Sequence, residues 1–132
     1  MSDWDGIYRI IGTSGTGTWD EVGTTWRGRY AGARAYRSSI QIVDSVLASG
    51  IAGQLLVATA MDDLAVAPAA PKAGRDGTIT VISPVSYPVV PEHMGLAFCT
   101  SSGRRREFRQ HPIEDAVTGF WRMVEEKFGL TR

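Results

Sequence analysis

The segment Arg104-Arg105-Arg106-Glu107-Phe108-Arg109 limits most tightly how this chain can fold. It follows the apolar stretch Leu96-Ala97-Phe98-Cys99 across a turn at Ser101-Ser102-Gly103, and so reads as the return strand of a hairpin. Successive strand residues alternate between faces, which sets Arg104, Arg106 and Phe108 on one side and Arg105, Glu107 and Arg109 on the other. A strand charged on both faces does not fit inside a monomer core, where charge is costly. Two places remain. One is a sheet edge, where charge blocks stray strand pairing. The other is a contact surface for acids on another copy or another protein, where forked arginine hydrogen bonds are useful. Arg104, Arg106, Phe108 and Arg109 are therefore the expected interface residues.

The chain has 132 residues, the size of one domain, and the expectation is a single domain over 1–132. A domain of this size buries about two-thirds of its unfolded surface, enough for a core. Acidic and basic residues balance at 14 each. That balance gives no general reason to expect nucleic acid or an anionic membrane as partner. Phosphate contact stays a minor option at the arginine run, with Arg27, Arg29, Arg34 and Arg37 as the other basic positions. No apolar run approaches the ~18 residues of a membrane span. The opening Met1-Ser2-Asp3-Trp4-Asp5 has neither a basic nor an apolar region of a signal peptide. A single cysteine, Cys99, allows no intrachain disulfide and suits a reducing compartment. The expected location is cytoplasmic, and a viral particle component fits the same composition.

Residues 4–11 read as a strand. The glycine-rich stretch 12–17 leads to Thr18-Trp19-Asp20-Glu21, which has the form of a capping box. Trp19, Val22, Trp26, Tyr30 and Ala33 recur at helical steps. Ile40, Ile42 and Val46 alternate with polar residues and predict a strand, with Val43 and Asp44 off the pattern. After a turn at 50–53, Leu55–Ala60 is expected to pair back with it. The first half is thus predicted β-α-β-β. Residues 62–77, rich in Ala, Pro and Gly, predict a connector or extended arm. Thr78–Ile82 predicts a strand, and the prolines at 84, 88 and 91 predict an extended edge segment. A last helix follows Pro112, with Val117, Phe120, Trp121, Val124 and Phe128 on one face and Gly129 as its C-cap. The expected fold class is α+β, a mostly antiparallel sheet with two main helices packed on it.

The stretch from Tyr8 to Ser14, followed by a helix and a hairpin, resembles the opening of the dodecins, small flavin-binding β-α-β-β proteins that form hollow shells. The resemblance implies an aromatic flavin platform where the second strand begins. This chain reads Ser38-Ser39-Ile40 there, so no flavin site is carried over.

Gly12 and Gly17 have the spacing of a P-loop, but Thr18 stands where the phosphate-binding lysine belongs and Trp19 where a hydroxyl should hold magnesium. Asp20 and Glu21 also repel anions from the first helical turn. The loop reads as a turn. Glu92, His93, Cys99 and His111 are too dispersed for a zinc site. No nucleophile motif is present, and neither a cofactor nor a metal is expected. The reading that results is a non-catalytic oligomerising or interaction domain, a subunit of a homo-oligomer or larger assembly. The alternative is a small-molecule pocket protein or cofactor-independent enzyme, its pocket formed by Trp26, Tyr30, His93 and His111.

Overall fold

A computed structural model describes residues 19–30, 36–60, 63–69, 78–82, 96–102 and 105–132. Three helices and five strands lie among them: α1 (Trp19–Tyr30), α2 (Arg37–Ala48), β1 (Leu55–Ala60), β2 (Asp63–Pro68), β3 (Thr78–Ile82), β4 (Leu96–Ser102), β5 (Arg105–His111) and α3 (Ala116–Phe128). The strands form one sheet in the order β1-β2-β3-β4-β5, and every neighbouring pair is antiparallel. The chain is therefore α+β with a fully antiparallel described sheet. The expected strand over 4–11, the glycine-rich loop, Thr18 of the capping box and the proline-punctuated segment 84–91 lie outside the described residues.

One apolar cluster joins the helices to the sheet. Leu55, Val57, Leu64, Val66, Ile79 and Val81 supply the strand side. Their positions along the ladders share one parity: Val57 is opposite Val66, Leu64 opposite Val81, and Val66 opposite Ile79. Trp19, Val22 and Trp26 of α1 meet this face at the three- and four-residue spacing of one helix stripe. The Trp19 indole Nε1–H donates to the Leu55 carbonyl at 3.0 Å, so the large ring is buried without orphaning its polar atom.

Two expectations are corrected. Residues 40–46 form part of helix α2, not a strand. Ser38, Ser39, Ile42, Val43 and Val46 are all buried, at steps of one, three, one and three, which is a single helical stripe. Burying that stripe against α1 and α3 outweighs the weak strand preference of β-branched side chains. Strand β1 accordingly pairs with β2 rather than with 40–46, and the predicted β-α-β-β order does not occur. The connector expected over 62–77 is the second misreading: Asp63–Pro68 is the strand β2, inside the sheet between β1 and β3. Leu64 to Pro68 are buried without a break. The small alanines fit because both faces are covered; Ala58 and Ala65 sit opposite each other in a second small cluster. Residues 70–77 lie outside the described residues.

The α3 prediction holds in detail. Gly129 adopts the left-handed conformation, φ 70°, and its N–H donates to the Glu125 carbonyl. A side chain would be strained there, which is why glycine closes the helix. Among the described residues, no helix is long and apolar enough to cross a membrane.

Candidate functional site

β5 is the last strand in the sheet order among the described residues. The hairpin register places Ser102 opposite Arg105, so Ser101 and Ser102, expected in the turn, belong to β4. Arg106 stands opposite Ser101 and Phe108 opposite Cys99. Arg104 is outside the described residues.

The residues at 107, 109 and 111 meet α3. Arg109 donates to Glu126 through both terminal nitrogens, at 3.0 and 2.7 Å, a forked pair. Its Nε donates to Glu107 at 2.7 Å. Lys127 Nζ donates to the other Glu107 oxygen at 2.6 Å. Two cations and two carboxylates thus tie the strand to the helix. The quartet still keeps much of its surface: Glu107 and Glu126 are 42% and 45% exposed, Arg109 and Lys127 26% and 31%. Exposed pairs of this kind contribute little to stability, so the arrangement orders the charges more than it holds the fold.

Each charge biases its neighbours. The Lys127 hydrogen bond, then that of Arg109, holds the Glu107 carboxyl below the usual range. Arg109 does the same for Glu126. In return Glu126 and Glu107 make the guanidinium keep its proton more tightly. His111 is pushed the other way. Burial favours its neutral ring, the charges of Arg109 and Arg122 add to that, and Asp115 opposes it. The imidazole rests on Gly119 of α3: a Cβ at Gly119 would lie 2.9 Å from His111 Cγ and Cδ2.

The pH dependence follows from these directions. Because the folded His111 pKa is lowered, the unfolded chain takes up the proton first. Stability therefore falls as pH drops from about 6.5 toward the lower folded value. Glu107 and Glu126 contribute stability that is present above about 4.5 and is lost as pH falls through their lower folded values. Thermal melts between pH 7.5 and 5 should show the wild type losing more stability than His111→Asn. Parallel curves would show that the ring titrates alike in both states.

No family model, curated protein or solved structure matches this chain.

Of the pocket residues expected from sequence, the structure describes the surroundings of Trp26 and His111. Trp26 is buried on α1, edge-on to Tyr36 at 6.2 Å, as part of the core. Its helix packs on α2 and β1. His111 is on β5, at the opposite end of the sheet order from β1. Tyr30 closes α1, and His93 is outside the described residues. Among the described residues, no group of three His, Cys, Asp or Glu side chains could hold a metal.

Sequence reasoning missed Glu126, Lys127 and Gly119. It also missed a shallow groove of about 290 Å³ beside α3, lined by Thr118, Trp121, Arg122, Glu125, Thr131 and Arg132. There the Arg132 guanidinium lies over the Trp121 ring, 5.1 Å from its centre. The Trp121 indole Nε1–H donates to Ser45 Oγ of α2 at 2.9 Å, which holds that ring in place.

Proposed function

We propose that this chain is a non-catalytic interaction domain, a subunit of a homo-oligomer or of a larger assembly, with β5 as its contact strand. One observation carries the reading. Of the two end strands of the described sheet, β1 and β5, it is β5 that is flanked by an ordered, half-exposed quartet of alternating charge. An outermost strand offers backbone N–H and C=O groups to a further strand. Fixed charges beside it select the partner and its register more than they add affinity.

Native mass spectrometry of ligand-free protein tests this. The expected result is one oligomer that persists on dilution and shifts toward monomer in Gln110→Arg, which adds like charge to an already basic contact strand. Gln110 is the right probe because it is exposed and outside the quartet, whereas reversing Arg109 would also break its bonds to Glu107 and Glu126. A wild-type monomer at every concentration would reject the reading.

The groove beside α3 favours a second reading, a small-ligand protein. Two guanidiniums and an aromatic ring suit a planar carboxylate. A small extra mass in the same spectrum, lost in Arg122→Ala, would favour it.

A further inference from the structure

We infer that β5 pairs antiparallel with β5 of a second copy, about a two-fold axis centred on Phe108. This rests on the interaction-domain reading and names its partner and register.

The reasoning is a comparison of registers. A two-fold axis perpendicular to the sheet keeps both helix layers on the same side. Residues that meet must then have the same parity, so the axis passes through a residue. Centred on Phe108, the pairing spans all seven residues of Arg105–His111. Glu107 of each copy meets Arg109 of the other, twice. Arg106 meets Gln110, and Arg105 meets His111. Phe108 meets itself.

The neighbouring registers fail on charge. Centred on Glu107, that carboxylate faces its own copy and Arg105 meets Arg109 twice. Centred on Arg106 or Arg109, an arginine faces itself. Like charges directly opposite each other destabilise a strand pair, and opposite charges stabilise it. A centre at Gln110 avoids like charges but leaves only Arg109, Gln110 and His111 of the strand in register. The full-length pairing is thus also the electrostatically sound one.

The geometry around the strand fits a second copy. Glu107 and Arg109 are already oriented by Lys127 and Glu126. Both keep exposed surface on which a further partner can land. Joined across the axis, two quartets make one ladder of alternating sign, with no net charge to repel the copies. Pre-ordered side chains also lose less freedom on binding. The same ladder rejects other strands, because few sequences place an acid and a base two residues apart in the matching order.

Cysteine pairing reads the register directly. Cys99 stands opposite Phe108 within one chain, so the background is Cys99→Ser. In that background, Arg106→Cys and Gln110→Cys chains are mixed and mildly oxidised. A disulfide-linked heterodimer should form at least five-fold more than either homodimer. A heterodimer yield no greater than about two-fold over either homodimer, the ratio random pairing gives, overturns the register. Hydrogen exchange on the unmodified protein gives a second readout: the alternate amides of 105–111 that point away from β4 should lose at least ten-fold in protection on dilution to monomer. Unchanged β5 protection in a protein that does dissociate rejects the β5 pairing but leaves the interaction domain standing. A protein monomeric at every concentration rejects both.

Discussion

Phe120→Ala should lower the unfolding free energy by about 3–5 kcal/mol. Phe120 is fully buried in the cluster that joins α3 to the sheet, with its ring edge-on to Trp121 at 5.3 Å. Truncation removes the ring's transfer energy and leaves a cavity whose walls are helix and sheet, which relax little. Most domains are stable by about 5–15 kcal/mol, so the variant would approach the threshold of folding. Phe120→Leu keeps most of the volume and should cost less than about 1.5 kcal/mol. Urea denaturation followed by circular dichroism measures both. A loss of under about 1 kcal/mol for the alanine variant would mean that α3 does not dock through this ring.

Gly119→Ala carries the next largest effect, and its sign is the informative part. At an open helical position, alanine for glycine stabilises by about 1 kcal/mol. Here the new methyl would sit 2.9 Å from His111 Cγ and Cδ2 and 3.0 Å from Nε2. Those are ring atoms close to the backbone of β5, not the end of a long flexible chain. Overpacking of this kind costs about 1–3 kcal/mol, so the net change should be destabilising. In a His111→Ala background the obstacle is gone and the helical gain should return. The double-mutant cycle is expected to show a coupling of about 2 kcal/mol. Additivity of the two changes would show that α3 and β5 do not touch at this point.

Much of the fold could be read from the sequence, for identifiable reasons. In α1 and α3 the large residues fall on one helical face: Trp19, Val22 and Trp26, then Phe120, Val124 and Phe128. Gly129 marked its own left-handed cap. Strand β3 was plain from Thr78 to Ile82. The α2 stripe was concealed because Ile40, Ile42 and Val46 happen also to alternate with polar residues. Val43, off the strand parity, was the signal: it makes the adjacent pair Ile42-Val43, which a helical stripe buries together and a strand covered on one face does not. β2 was concealed by its composition. Leu64 and Val66 alternate correctly, but alanines between them and a closing Pro68 made the segment resemble a linker.

The candidate site was half legible. Charge on both faces of 105–109 pointed to the end of a sheet, and β5 is outermost among the described strands. What the charges bind was not legible. Arg109 and Glu126 are 17 positions apart, and only the packing of α3 on β5 brings them together. The same holds for His111 and Gly119, whose fit depends on an absent side chain.

The sheet order has a consequence for how the chain is made. Each ladder joins strands that follow one another in sequence, so the sheet can zip up in the order of synthesis. The helix layer cannot. Trp121 of α3 closes on Ser45 of α2, a separation of 76 residues. At translation rates of ~5–20 residues per second, those two partners emerge about 4–15 s apart. Through that interval α2 and the core face of the sheet lack α3, and only α1 is present to cover them. The nascent chain should therefore engage holdase chaperones while β1 to β5 emerge, and release from them should coincide with the arrival of α3.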